Sequence, residues 1–86
     1  MPFVNNLYGI LPYNIYMNNK FSERLRELRT EKGITQAQLG KATGYSQAGI
    51  AKWETGDRKP TIDAIISLSN FFECTSDYLI GLVDSY

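Results

Sequence analysis

Residues 35–56, TQAQLGKATGYSQAGIAKWETG, contain two short helical patterns that are joined by a turn. Thr35 is placed to cap the first helix, and Gln38, three residues later, completes a capping box. Gly44 has the position of a glycine that ends a helix, and Ser46 follows as the N-cap of the second helix. We therefore predict a helix, a tight turn and a second helix that ends at Thr55 and Gly56.

Helices this short are marginal alone in water, so the pair needs tertiary packing. Leu39 is expected to point inward, and Ile50 and Trp53 lie three residues apart and share one helix face. Gly40 costs roughly 1 kcal/mol against alanine inside a helix. A small residue there lets the second helix approach closely. Two short helices that meet at a tight turn can hold the second helix in the major groove of DNA.

The remaining chain has the pattern of three further helices. The first is predicted over residues 21–32, with Ser22 as a candidate cap, Gly33 as the stop, and Phe21, Leu25 and Leu28 inward. Thr61 begins another, with inward Ile62, Ile65, Ile66, Leu68 and Phe72. Thr75 or Ser76 caps a last short helix that bears Tyr78, Leu79 and Leu82. We predict an all-α, compact five-helix domain over residues 20–86.

The segment from Phe21 to Val83 resembles the lambda-repressor/Cro-like helix-turn-helix family, also called the XRE family. The matching elements are RLRELRTEKGITQAQL (24–39), Gly40, the turn 44–46, Ile50, WETGDRKP (53–60) and SDYLIG (76–81). The resemblance implies a lambda-repressor-like fold and a sequence-specific DNA-binding transcriptional regulator, expected to be a repressor. Family members usually bind as dimers on half-sites about 34 Å apart, and the apolar end, Tyr78 to Val83, is the candidate interface.

Within this resemblance, the residues that face DNA follow from their positions in the motif. Gln36 matches a position that holds a phosphate and braces the second helix. Gln47 is the best candidate for base readout, because a glutamine pairs with adenine N6 and N7. Ala48 is a candidate contact to a thymine methyl, and Lys52 a contact to guanine or to the backbone, a choice that stays open.

Other candidate contacts lie in the two turns that flank the second helix. Ser46 is a candidate for base or phosphate contact, and Tyr45 for phosphate. Arg58 and Lys59 are candidate phosphate clamps, although a solubilising loop explains them equally well. Two residues depart from the family: Gly49, where a larger polar residue is usual, offers no side chain to a base, and Thr43 replaces a larger apolar residue.

The family also pairs an arginine of the first helix with a glutamate at the end of the recognition helix. Arg29 and Glu54 match these positions. The resemblance implies a structural ion pair, which excludes Glu54 as a DNA contact, and Trp53 is expected to be core rather than a stacking platform.

Charge is distributed unevenly although the net charge is zero. Nine cations and five acids lie between residues 20 and 59, a balance of +4, whereas four acids and no cation follow from Pro60 onward, a balance of −4. The chain is therefore bipolar, and one half is suited to face phosphate.

Residues 1–19 carry no charge and four aromatic side chains, at positions 3, 8, 13 and 16. A cationic start and an unbroken apolar core are absent, so we do not expect the segment to be a secretory signal. Two interpretations stay open. The segment is either a disordered extension, or its aromatic residues pack on the domain or on a partner subunit.

Several function classes are disfavoured by composition. The chain has no histidine and one cysteine, Cys74. We therefore expect no enzyme, no metal site and no cofactor. A lone cysteine, no signal peptide and no apolar stretch of membrane-spanning length favour a cytoplasmic protein. The alternative function is the antitoxin of a toxin–antitoxin pair, which binds a toxin protein as well as operator DNA.

Overall fold

The computed structural model describes residues 13–85, and side chains from Lys20 onward. This part of the chain is all-α and forms five helices without a β-strand, which confirms the predicted fold class. The helices are α1 (Tyr13–Lys32), α2 (Gln36–Thr43), α3 (Gln47–Thr55), α4 (Ile62–Phe72) and α5 (Ser76–Ile80).

Local capping fixes where four of these helices begin. In α2 the capping box is complete: Thr35 Oγ1 accepts from the Gln38 amide at 3.0 Å, and Gln38 Oε1 accepts from the Thr35 amide at 2.8 Å. In α3 and α4 the Ser46 and Thr61 hydroxyl oxygens accept from the Gly49 and Ala64 amides, without a capping box, and Thr75, rather than Ser76, caps α5. Each cap satisfies a backbone N–H that the first helical turn leaves without a partner.

The start of α1 differs from the prediction. The helix begins at Tyr13 rather than Phe21, so it runs through the boundary that we placed between residues 19 and 20. Ser22 is therefore not a cap. It lies inside the helix, is buried, and donates its hydroxyl hydrogen to the Trp53 carbonyl at 2.6 Å. The stretch 13–32 contains neither proline nor glycine, so nothing in it stops a helix. Residues 1–12 lie outside the described part, so the prediction for the extension is not tested.

All five helices contribute to one apolar core. Its buried members are Phe21, Leu25, Leu28, Leu39, Ile50, Trp53, Ala64, Leu68 and Leu79. The inward residues predicted for α1, α2 and α3 are all among them. Burial of this kind is the main force that holds helices too short to stand alone.

Two apolar residues of α4 that were predicted to point inward are exposed instead. Ile62 is 76% exposed and Ile66 50%, and Leu82, which was predicted to lie on the last helix, is 51% exposed. On α4 the buried positions are Ala64 and Leu68, and Ile62 and Ile66 lie four residues apart on the other side. Because apolar residues extend over more than half of the circumference of α4, periodicity did not show that Ile62 and Ile66 lie outside the buried part. Leu82 lies beyond the end of α5, since Gly81 adopts a left-handed conformation at φ 92°.

The C-terminal end is held to α1 by Arg24, a contact that the sequence did not reveal. Arg24 is 8% exposed. Its Nη1 donates to the carbonyl oxygens of Tyr78 at 2.5 Å and Val83 at 2.7 Å, and Nη2 lies 3.1 Å from Asp84 Oδ1. The guanidinium also sits 4.1 Å from the centre of the Tyr78 ring. One cation of the basic half is thus bound to the acidic end of the chain.

Candidate nucleic-acid interface

Helices α2 and α3 are joined by three residues, and two glycines make this turn feasible. Gly44 has φ 87°, a left-handed conformation that costs glycine little, and its amide donates to the Gly40 carbonyl at 2.8 Å. A Cβ atom on Gly40 would overlap the Tyr45 carbonyl oxygen and lie 3.4 Å from the Gln47 nitrogen. The expected close approach is therefore present. It brings the turn, rather than the body of α3, against Gly40.

The C-terminal half of α3 is fastened to α1 by polar side chains. Ser22, Arg26 and Arg29 are spaced by four and three residues, so they share one face of α1. Ser22 donates to the Trp53 carbonyl, and Arg26 Nη1 donates to the Glu54 carbonyl at 3.2 Å. Both bonds go to carbonyl groups in the last turn of α3, where the helix itself leaves acceptors unused, and the Trp53 carbonyl also accepts from the Gly56 amide at 3.2 Å. Sequence reasoning missed Arg26, and its spacing from Arg29 was the signal available.

Arg29 and Glu54 form a two-pronged ion pair at the same end of α3. Arg29 Nε lies 2.6 Å from Glu54 Oε2, and Nη2 lies 3.0 Å from Oε1. Arg29 Nη1 also donates to the Ile34 carbonyl at 2.9 Å. The hydrogen bond to Glu54 raises the pKa of Arg29, so the guanidinium stays charged. Glu54 is 4% exposed, which places its carboxylate beneath the surface of the motif.

A chain of amide contacts leads from this buried pair to the surface of α3. Gln36 Nε2 donates to Glu54 Oε1 at 3.1 Å, and Gln47 Nε2 donates to Gln36 Oε1 at 2.9 Å. We call Arg29, Glu54, Gln36 and Gln47 the polar chain. It runs from a buried carboxylate to an exposed side chain in the first turn of α3, so Gln36 braces Gln47 directly.

The outward face of α3 is small and polar. Gln47, Ala48 and Lys52 are exposed, as is Ser46 at the N-cap. The Ser46 hydroxyl oxygen accepts from the Gly49 amide at 3.0 Å, which leaves its hydrogen available as a donor. Gly49 is half-buried and adds no side chain. All four of the predicted base-facing residues are therefore accessible.

Tyr45 and Trp53 are part of the packing behind that surface. Their rings meet edge to face with centroids 5.0 Å apart, and Phe21 packs on the other side of Trp53 at 6.3 Å. Trp53 is 5% exposed and belongs to the core. Tyr45 is half-buried and packs against the core, so this residue anchors the turn.

The loop between α3 and α4 presents the remaining predicted cations. Arg58 and Lys59 are exposed, and neither side chain has a hydrogen bond or ion pair within residues 20–85. Gly56, at φ 85°, turns the chain out of α3, and the Arg58 amide donates to the Lys52 carbonyl at 3.3 Å. This bond keeps the loop next to the last turn of α3, beside exposed Lys52.

Among the described residues, no group of three or more histidine, cysteine, aspartate or glutamate side chains is arranged to hold a metal ion. None of the described helices is long and apolar enough to cross a membrane. The single cysteine, Cys74, is half-buried next to the core, and burial raises the pKa of its thiol.

Comparison with known proteins gives one family and a set of relatives. Residues 25–79 match the sequence model of a family described as helix-turn-helix. The HTH-type transcriptional activator BcrR of Enterococcus faecalis is 39% identical over 62 residues, which are 72% of this chain and 30% of the relative. Repressor protein C2 of Salmonella phage P22 is 38% identical over 58 residues, 67% of this chain and 27% of the relative. The chain thus spans less than a third of the length of either protein.

Solved structures agree with this sequence match. The P22 c2 repressor protein in complex with synthetic operator 9T has a TM-score of 0.68 at 36% identity, over 71% of this chain and 92% of that one. The restriction-modification controller protein C.AhdI from Aeromonas hydrophila has a TM-score of 0.67 at 32% identity, over 72% and 94%.

Proposed function

The chain belongs to the helix-turn-helix family, of the lambda-repressor/Cro-like (XRE) type, and from this premise we propose that it is a sequence-specific DNA-binding transcriptional regulator. In this proposal α3 enters the major groove of double-stranded DNA and residues near its N-terminus reach the base edges. The observation that carries the proposal is the mounting of α3. Its inner end is fastened to α1, while the exposed first turn projects outward.

Direct readout is assigned to exposed residues of α3 and of its N-cap. Gln47 is the main reader, because its amide can pair with adenine N6 and N7. Ala48 contacts a thymine methyl group, and Lys52 and Ser46 complete the base-facing set. Because Gly49 has no side chain, this set of base contacts is small. A larger share of the binding free energy then comes from contacts to the DNA phosphates.

Phosphate contacts are assigned to residues that flank α3. These are Gln36, Tyr45, Ser46, Arg58 and Lys59. The N-terminus of α2 supports the assignment of Gln36, since free backbone N–H groups there attract an anion. Arg58 and Lys59 are supported by their exposure and by the absence of a side-chain partner for either among residues 20–85. We expect Lys59→Gln to reduce the slope of the logarithm of the DNA-binding constant against the logarithm of the salt concentration by about 1. An unchanged slope would show that this loop serves solubility and does not contact phosphate.

We also propose that the chain represses transcription and binds as a homodimer through its C-terminal end. Leu82 and Val83 are 51% and 41% exposed there, which supplies apolar surface for a second copy. Relatives include both a repressor and an activator, so a promoter–reporter assay has to decide the sign of regulation. Two half-sites about 34 Å apart would match a two-fold symmetric dimer.

Selection of bound sequences from random DNA tests this proposal. The wild type is expected to enrich an inverted repeat with half-sites one helical turn apart. Gln47→Ala should lose the preference at one base position per half-site, whereas Asn70→Ala, which removes an exposed amide from α4, should keep the wild-type motif. No enrichment by the wild type refutes DNA readout, and enrichment of a single half-site refutes the dimer.

A further inference from the structure

The hydrogen-bonding direction of the whole polar chain is dictated by its buried end. The Glu54 carboxylate, held by Arg29 at 2.6 and 3.0 Å, has only acceptor oxygens. Gln36 therefore has to turn its NH₂ group toward Glu54, which leaves its oxygen toward α3. Gln47 in turn has to present its NH₂ group to that oxygen, which lies 2.9 Å from Gln47 Nε2, because an oxygen can only accept. One carboxylate thus orients two successive amides.

We propose that the Arg29–Glu54 ion pair sets the polarity of the Gln47 amide and thereby selects the base that Gln47 reads. Glu54 and Gln36 are then positioning residues for base specificity, although neither touches a base in this assignment. The inference rests on the proposed DNA-binding function and on Gln47 as a base-reading residue. It adds the structural cause of the preference of Gln47 for one base over another.

The groups left free on Gln47 match adenine. One N–H of Nε2 is engaged by Gln36, so Oε1 and the second N–H remain for the groove. Adenine offers the complementary pair, an N6–H donor and an N7 acceptor. A reversed amide would place its oxygen on Gln36 and present N–H groups outward. Guanine, with acceptors at both O6 and N7, is the base that suits N–H donors.

The buried end is well placed to hold this polarity. Glu54 is 4% exposed, and its side chain receives three hydrogen bonds, two from Arg29 and one from Gln36. Arg29 is fixed in addition by its bond to the Ile34 carbonyl. The carboxylate can therefore not turn away without stranding a buried cation, whereas Gln47, at the exposed end, is held among residues 20–85 by its bond to Gln36.

Glu54→Gln tests the proposal because it retains the size of the side chain and removes the acceptor-only property. Its amide can offer either an oxygen or an N–H to Gln36, so both polarities of Gln47 become accessible. The measurement is binding of the full chain to two operator duplexes, selected by the wild type, that differ only by adenine or guanine at the Gln47 position. We expect the adenine-to-guanine affinity ratio to fall at least about fivefold, since one bidentate base contact discriminates by that factor or more.

Gln36→Met is the second variant, in case Glu54→Gln does not fold. It breaks the polar chain at the surface and leaves the ion pair in place, so the domain should stay folded. Overall affinity will fall with the lost phosphate contact, but the ratio should fall as well. Arg24→Gln serves as the control, because it disrupts another buried arginine and no member of the polar chain. Its stability should decrease while the adenine-to-guanine ratio stays at the wild-type value.

Failure of this inference differs from failure of the proposed function. If Gln47→Ala lowers the ratio while Gln36→Met and any folded Glu54→Gln retain it, Gln47 reads the base without help from the ion pair, and the inference is wrong. If Gln47→Ala also leaves the ratio unchanged, the assignment of Gln47 as a reader is wrong. If the wild type binds no operator, the proposed function itself is refuted.

Discussion

Truncation of Glu54 to alanine should be among the most damaging single changes in this domain. The substitution removes both contacts to Arg29 and the contact to Gln36, at 2.6, 3.0 and 3.1 Å. Arg29 would then remain beneath the surface with its charge unpaired and only the Ile34 carbonyl as a partner. The penalty arises chiefly from this stranded cation, rather than from the small volume that is lost.

The size of the effect follows from burial. Breaking a fully buried ion pair costs about 3–5 kcal/mol. Because the Arg29 side chain is 15% exposed, water can solvate it in part, which lowers the expected loss to about 2–4 kcal/mol. A domain of this size is stable by about 5–10 kcal/mol, and each kcal/mol shifts the melting temperature by roughly 4–8 °C. The melting temperature should therefore fall by about 10–25 °C.

Urea unfolding followed by helical circular dichroism and by Trp53 fluorescence measures this loss. Glu27→Ala is the matched control, since Glu27 is an exposed glutamate of α1, and its effect should stay within about 0.5 kcal/mol. A cycle with Arg29→Ala and the double variant should give a coupling energy of at least about 1.5 kcal/mol. A loss for Glu54→Ala no larger than that of Glu27→Ala would refute the structural role of the pair.

Three further changes have expected outcomes of different sign. Gly40→Ala should destabilise the domain by about 2 kcal/mol or more in a thermal melt, because the new Cβ would overlap the Tyr45 carbonyl oxygen; an unchanged melt would show that the turn can move away. Glu73→Gly should raise stability by up to about 1 kcal/mol, since Glu73 ends α4 at φ 56° and glycine adopts this conformation without strain; a lower melting temperature would contradict this. Burial raises the pKa of the Cys74 thiol, so the folded chain holds that proton more tightly than the unfolded chain. The contribution of the protonated thiol to the free energy of unfolding is complete below the thiol pKa of the unfolded chain, about 8.5. It is lost as the pH rises through the thiol pKa of the folded chain. Cys74→Ala should abolish this alkaline loss, and identical pH profiles of wild type and variant would refute it.

Local interactions explain why much of the motif was predictable. The caps at Thr35, Ser46 and Thr61 and the left-handed Gly44 join residues no more than four positions apart, so residue type and spacing suffice to place them. The start of α1 was not predictable in this way. Serine is a residue type that often caps a helix, but the Ser22 hydroxyl donates its hydrogen to the Trp53 carbonyl, 31 residues away in the sequence.

In the candidate site, too, local features were predictable from the sequence and contacts between helices were not. The identities of Gln36, Gln47 and Lys52 and their positions on two short helices follow from the motif. The order of hydrogen bonds that ties Gln47 to Gln36 and Gln36 to Glu54 does not, because the contacts join side chains on different helices. Their direction depends on a carboxylate whose burial is known only once α1 and α3 have packed.

The sequence by itself therefore determined the helix-turn-helix, its caps and the candidate residues for reading DNA. The tertiary structure alone decided which side of the apolar α4 is buried, leaving Ile62 and Ile66 exposed. It alone showed that Arg24 binds the end of the chain, 54–60 residues away. The physical reason is range. Caps and glycine turns form within one helical turn, whereas burial and charge pairing depend on which elements meet in space.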